Sequence, residues 1–170
     1  MPPEVSVPAA ALASVAVMML AEARRSRFNE RALRREGAFE PPGDVYRAMA
    51  IVYPGMFLAM AAEGVLTGPA SDVWLIAGFA IFAAAKVLKV WAIATLGPRW
   101  SYRVLVVPAS PLVATGPYAH LRHPNYVAVF GEIAGFAMMV HAGMTGVLST
   151  VLFAILVRKR IAVEERALGL

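Results

Sequence analysis

Long, nearly uncharged apolar runs alternate in this chain with short segments crowded with arginine, and no other feature constrains its fold as strongly. The hydrocarbon core of a bilayer is about 30 Å thick and is crossed by roughly 20 mostly apolar helical residues. Inside lipid the backbone must satisfy its own N–H and C=O groups, so runs of this kind predict helices. Candidate spans are 5–23, 45–66, 73–96, 124–141 and 144–157. The last two are short and are joined only by His141-Ala142-Gly143, which predicts a tight C-terminal helical hairpin, tilted or incompletely spanning. Four spans is the alternative. Pro54 and Gly55 in the second run predict a kink. No Lys or Arg precedes the first run, unlike a cleavable signal peptide, so it is expected to remain as a span. Composition agrees: 59% of residues are hydrophobic and only 16% are charged, against roughly 25% charged in a soluble domain. The expected fold is a single all-α domain over 1–170, a polytopic integral membrane helical bundle.

The net charge of +5 could suggest nucleic acid. The basic residues, however, sit in the loops of a hydrophobic chain and are not interleaved with aromatics on a soluble domain, so no nucleic-acid partner is expected. They mark instead the cytoplasmic side of a bilayer. Arg24, Arg25, Arg27, Arg31, Arg34, Arg35 and Arg47 follow the first run. Arg99, Arg103 and Arg122 follow the third, and Arg158, Lys159, Arg160 and Arg166 follow the fifth. The leading segment and the turns near 67–72 and 141–143 carry none. Five crossings put every basic segment on one side, which predicts the N-terminus outside and the C-terminus in the cytoplasm. Segment 24–37 is expected to continue the first helix along the membrane surface until Glu40-Pro41-Pro42-Gly43 breaks it.

The segment Gly116-Pro117-Tyr118-Ala119-His120-Leu121-Arg122-His123-Pro124-Asn125-Tyr126 is polar and aromatic and stands directly before the fourth run. Pro124 suits a first helical turn, where its missing N–H costs nothing. The helix N-terminus would present free N–H groups to an anion, with Arg122 and His123 at the same mouth. The alternative is that these residues are interfacial anchors. In the tail, Arg160 and Glu164 are spaced i, i+4 and either pair locally or let Glu164 turn to the fourth helix and bind a cationic or hydroxylated group. Away from the arginine-rich ends of the runs, Glu63, Lys86, Lys89 and Glu132 are read as intramembrane charges. Each costs about 2.5–3.5 kcal/mol at mid-bilayer, so each is expected to face protein or water. Glu132 is the candidate functional carboxylate, and pairing with a lysine of the third helix is its alternative. Trp100 and Tyr102 with Arg99 and Arg103 suit the interface or a lipid entering sideways, ahead of a strand-like piece at 104–107. Cysteine is absent, and His120 and His123 find no completing ligand, so no metal site is expected.

Gly116-Pro117-Tyr118, then Arg122-His123-Pro124-Asn125-Tyr126, and later Arg160-Ile161 with Glu164-Glu165, together resemble the isoprenylcysteine carboxyl methyltransferase family. The resemblance covers roughly 91–168, and the Arg-rich stretch 22–40 looks like its bacterial branch, some members of which methylate hydroxyls of alkylresorcinols or alkylpyrones. It implies S-adenosylmethionine as cofactor, held at a cytoplasmic pocket built from 97–123 and 158–170. Gly116, Pro117, Tyr118, Arg122, His123, Pro124 and Tyr126 would line that pocket, and Glu164 and Glu165 would close it. It also implies a bacterial inner membrane and a prenylated or lipid-like acceptor, with no oligomeric state indicated. Two departures stand out: Ala128 replaces a frequent glycine, and the tail lacks a Phe-Gly-Glu-Tyr-like ending, so either the tail side of the pocket is less enclosed or the cofactor is covered differently. His123, Glu132 and Arg122 are the candidate catalytic groups, with Arg99, Trp100 and Arg103 toward the acceptor. A phospholipid N-methyltransferase and a non-enzymatic assembly or transport subunit are the competing readings.

Overall fold

The computed structural model describes residues 3–108 and 110–169. Five α-helices account for most of them: α1 (Pro3–Arg35), α2 (Tyr46–Thr67), α3 (Asp72–Leu96), α4 (Pro124–Met139) and α5 (Gly143–Leu168). Three are long and apolar enough to cross a membrane, over Ser6–Arg35, Tyr46–Thr67 and Asp72–Arg99. Large apolar side chains such as Val17, Ile51, Leu58, Ile76, Val87 and Leu148 point outward and exposed. A soluble fold would bury them; a lipid-facing surface needs them. The chain is an integral membrane protein with an all-helical bundle.

The fourth and fifth helices form the hairpin the short linker predicts. At 1.5 Å per residue the 16 residues of α4 rise only about 24 Å, short of the bilayer core. The α4–α5 turn sits level with the end of α2: Thr67 Oγ1 donates to the His141 carbonyl at 2.9 Å. Glu63 neither floats in lipid nor simply reaches water. Its carboxylate accepts from the Met144 and Thr145 backbone N–H groups at 3.0 and 2.7 Å. A carboxylate there satisfies the orphan donors of the first turn of α5 and meets the positive end of its dipole.

α3 and α4 pack more extensively than any other pair of helices. The reason is small side chains. A Cβ on Gly135 would lie 2.6 Å from the Phe82 nitrogen, and one on Gly131 would lie 2.8 Å from the Ala85 Cβ. Gly131 and Gly135 are spaced i, i+4, a pattern that lets membrane helices approach closely without a hydrophobic driving force. Around this seam Phe57, Met60, Ile133, Phe136 and Phe153 fill the core.

α1 departs from expectation in one respect. It runs unbroken through Arg35, but its arginine-rich end is not a helix lying free on the membrane surface. Ser26, Asn29 and Leu33 are buried. Asn29 Nδ2 donates to the carbonyls of Gly97 and Trp100 at 3.1 and 2.7 Å, satisfying backbone acceptors just past the end of α3. Among the described residues the strand-like piece at 104–107 becomes an isolated antiparallel bridge, Phe39 to Val106.

Candidate functional site

At the arginine-rich end of the bundle the segment before α4 and the last turns of α5 come together. Pro124 opens α4 with His123 as the preceding residue, and the two rings His123 and Tyr126 stack 5.6 Å apart at its first turn. α5 does not stop at the apolar boundary; it continues to Leu168 and carries Arg160, Glu164 and Glu165 past this mouth. Tyr126 Oη donates to Glu164 Oε2 at 3.1 Å. His123 has a carboxylate facing each ring nitrogen, Glu164 at 3.9 Å from Nδ1 and Glu165 at 3.5 Å from Nε2. Arg122 reaches Glu165 at 3.6 Å with its own side chain 78% exposed. The mouth therefore holds the protein's own carboxylates at the N-terminus of α4. An external anion bound there by dipole and Arg122 is not what this arrangement favours; groups that are cationic or donate hydrogen bonds are.

Arg160 organises the junction, and not by the i, i+4 pair with Glu164. Its Nε donates to Tyr126 Oη at 2.9 Å and its Nη1 to Asp44 Oδ1 at 3.0 Å. Nη2 donates to the Tyr102 carbonyl. Asp44, 4% exposed at its side chain, also accepts from the backbone N–H of Tyr46 at 3.1 Å and of Val104 at 3.0 Å. One guanidinium thus ties α5 to α4, to the α1–α2 connection and to the 100–104 loop. Released from Arg160, Glu164 turns to α4, the second of the two arrangements its spacing allowed.

These elements enclose a cavity of about 860 Å³. Tyr118, Arg122, His123, Tyr126 and Glu164 line its mouth, and Arg99, Trp100 and Arg103 line its loop side. Gly116, Pro117, Pro124 and Glu165 stand outside the lining. Gly116, at φ 56°, seats the segment on α3, where a Cβ would meet Thr95 Oγ1 at 2.6 Å. Trp100 is no interfacial anchor; it is 3% exposed. Arg103 is already engaged, with Glu40 at 2.7 Å and the Tyr46 ring 4.3 Å away, while Arg99 holds the Pro111 carbonyl at 2.7 Å. The Tyr118 phenol is pushed up from its ordinary value by burial first and by the nearby Glu164 charge second, so it stays a neutral donor. The flank toward lipid is apolar, with Ala16, Met19, Leu20, Met49 and Ala50.

Glu132 lies off the cavity wall, 1% exposed at its side chain and paired with Lys86 at 3.0 Å and Lys89 at 3.3 Å. That is the lysine pairing held open as its alternative. Glu22 completes the set, 3.1 Å from Lys86 and 2.7 Å from Lys89. Sequence reasoning passed over Glu22, Asp44 and Tyr53. Each had a signal: a carboxylate in the last turn of a span, a lone acid after Pro-Pro-Gly among arginines, and a phenol inside a span.

Comparison with known proteins identifies the family. Residues 76–169 match the isoprenylcysteine carboxyl methyltransferase (ICMT) family. The uncharacterized protein YpbQ of Bacillus subtilis (strain 168) is 31% identical over 157 residues, 92% of this chain and 94% of its own length. No solved structure matches. The matched region takes in α4, the segment before it and the tail that meets it, more than half of the chain, and so the chain belongs to the isoprenylcysteine carboxyl methyltransferase family.

Proposed function

We propose that this protein is an S-adenosylmethionine-dependent methyltransferase that O-methylates a lipid-like acceptor drawn from the membrane, at a carboxylate of the isoprenylcysteine type or at a phenolic or enolic hydroxyl of the alkylresorcinol or alkylpyrone type. The observation that carries the reading is the junction of α4 and the α5 tail, with Tyr126 and Glu164 bonded across it at 3.1 Å on the wall of one cavity. A volume of about 860 Å³ suits a nucleoside-sized ligand, since such sites run from about 300 to 1,000 Å³. A sulfonium and ribose hydroxyls call for carboxylates and aromatic faces, and Glu164, Tyr118 and Tyr126 supply both. When bound, the donor supplies an activated methyl group.

The protein's part is then to hold, orient and dry the site. Glu164 binds the donor's polar groups from the cavity wall, Glu165 stands behind it against Arg122 and His123, and Tyr126, fixed by Arg160, sets the distance of Glu164 from α4. His123, with a carboxylate opposite each nitrogen, orients those carboxylates better than it removes a proton. The apolar flank at Met19, Leu20 and Met49 admits the acceptor's tail sideways from lipid. Burying each CH₂ gains about 0.8 kcal/mol relative to water, but a tail leaving lipid gains far less. Discrimination therefore falls to the acceptor's head.

Calorimetry of the detergent-purified protein with S-adenosylhomocysteine tests the reading directly. Saturable heat supports it; none at high protein concentration returns the chain to a non-enzymatic role. Labelled methyl transfer to a farnesylated cysteine, an alkylresorcinol and phosphatidylethanolamine then sorts the acceptor classes, and an amine product would make it an N-methyltransferase.

A further inference from the structure

Deep in the cavity, away from the mouth, Tyr53 of α2 and Lys89 of α3 form part of the wall. Behind them lies a continuous polar run. Tyr53 Oη donates to Glu132 Oε2. Lys89 Nζ sits 3.3 Å from that same oxygen and 2.7 Å from Glu22 Oε2. Tyr102 Oη donates to Glu22 Oε2 at 3.2 Å, and Tyr102 returns to the cavity wall on the loop side. Lys86 closes the set, 3.0 Å from Glu132 and 3.1 Å from Glu22. Two carboxylates and two ammonium groups from three helices are thus gathered inside the membrane bundle, with a phenol at each end opening on one cavity.

Holding helices together does not require this. Each ion withdrawn from water costs several kcal/mol, and apolar replacements of buried ion pairs are often as stable. Ionisable groups at membrane depth mark function by default. What the run provides is a route by which a proton can leave the cavity floor and emerge at the loop.

We propose that Tyr53, backed by Glu132 and Lys89, receives the proton of the methyl acceptor, and that the acceptor is accordingly an acidic hydroxyl, phenolic or enolic, on an apolar tail. The proposal rests on the methyltransferase reading above and narrows it. A carboxylate is already ionised at neutral pH and releases no proton on methylation, whereas a phenol, with a pKa near 10, must lose one. In the transfer the acceptor oxygen forms its bond to the methyl carbon as the carbon–sulfur bond of the sulfonium donor breaks, its electron pair staying on sulfur. The acceptor's proton goes to Tyr53 Oη while Tyr53 passes its own to Glu132 Oε2. From there it returns to solvent through Lys89, Glu22 and Tyr102. Val129 and Phe153 supply the apolar surroundings of the reacting head.

A nitrophenol bearing a long alkyl tail tests this without turnover, because its phenolate and phenol absorb differently. At a pH where the probe is mostly protonated in detergent alone, the wild-type protein should bind it as phenolate. Tyr53→Phe removes one oxygen and keeps the ring beside Phe57 and Phe153, so this variant should bind the probe protonated. With an alkylresorcinol acceptor the same variant should lose roughly 100-fold or more in kcat, with S-adenosylhomocysteine affinity unchanged. Tyr102→Phe, which cuts the far end of the route, should lower kcat while leaving the bound probe's spectrum in place. No binding of the probe, a protonated bound spectrum in wild type, or identical spectra in wild type and Tyr53→Phe each overturn the assignment. Absence of S-adenosylhomocysteine binding would instead overturn the methyltransferase reading, so the two failures are distinguishable.

Discussion

Arg160 shows how much one side chain can decide here. Its guanidinium spends its donors on three separate elements, a planar fork that a lysine's point charge cannot reproduce. Arg160→Lys should therefore lose most of what Arg160→Met loses. The Met variant leaves Asp44, 4% exposed at its side chain, with a buried charge and no cation beside it, at a cost of about 3 kcal/mol or more; the Lys variant keeps one charge but cannot reach Tyr126, Asp44 and the Tyr102 carbonyl together. Thermal unfolding in detergent measures it, and a melting temperature within a degree or so of wild type would show that the tie does not matter. Glu164→Gln keeps the shape and removes the charge facing the mouth; S-adenosylhomocysteine should bind roughly tenfold more weakly, about 1.4 kcal/mol, with calorimetry as the check and unchanged affinity as the refutation. Tyr118 carries a pH prediction. Its phenol is raised by burial and then by Glu164, so the folded protein keeps this proton where an unfolded chain would release it. The stability it contributes is full below an ordinary tyrosine pKa near 10 and declines above it. Ultraviolet titration of wild type against Tyr118→Phe should show no extra tyrosinate at about pH 10.5; a full tyrosinate signal there would place the ring in water. At this scale the mouth residues were legible because they cluster along the chain or echo a known pattern. Tyr53, Glu22 and Asp44 were not, because their partners are fixed by how each helix is rotated, which spacing within one helix does not reveal.

At the level of elements, the α3–α4 seam determines where Lys89 and Glu132 meet, and glycine makes the seam possible. Gly131 and Gly135 were visible at i, i+4, but the pattern does not name the helix it seats against. Gly78 and Ala85 on α3 do, once the two helices are in contact. A Cβ on Gly135 would fall 2.6 Å from Phe82 N and 2.7 Å from Gly78 O, backbone atoms that cannot step aside. Gly135→Val should destabilise by about 1–3 kcal/mol and separate Lys89 from Glu132. Gly143→Ala, where no atom lies within 4 Å of the new Cβ, should stay within about 0.5 kcal/mol of wild type. Equal melting temperatures for the two variants would remove the close-packing argument. Helix positions themselves were well marked by hydropathy, and Pro124 marked the start of α4 to the residue. The arginine-rich end of α1 was misjudged for a physical reason. Its charges suggested an exposed surface helix, while the buried face at Ser26, Asn29 and Leu33 is too short and too polar to register as an amphipathic stripe.

Taken whole, the molecule is a bundle whose cavity opens at one end, and that end is also the arginine-rich one. Cytoplasmic segments accumulate Lys and Arg, so we propose that the cavity mouth, the 97–123 connection and the tail face the cytoplasm; an odd number of crossings would then put the N-terminus outside. The number of crossings turns on α4, whose 16 residues rise about 24 Å against a core of about 30 Å. If α4 and α5 together made a re-entrant hairpin dipping from the cytoplasmic side, the chain would still return its tail to the cytoplasm, but the α4–α5 turn would stay buried. The structure argues against a shallow hairpin: the His141 carbonyl is bonded to Thr67 at the outer end of α2, and Glu63 holds the first turn of α5 at the same level. The chain has no cysteine, so single cysteines report without background. A cysteine at Met144, 69% exposed, should react with a membrane-impermeant maleimide from outside intact cells, as should one at Gly68 in the α2–α3 turn. A cysteine at Arg166 should react only after the membrane is opened. Labelling at Gly68 without labelling at Met144 would mean that α4 stops within the bilayer and the chain crosses three times rather than five. The reverse pattern, with Arg166 labelled from outside, would move the cavity mouth to the wrong face for a cytosolic methyl donor.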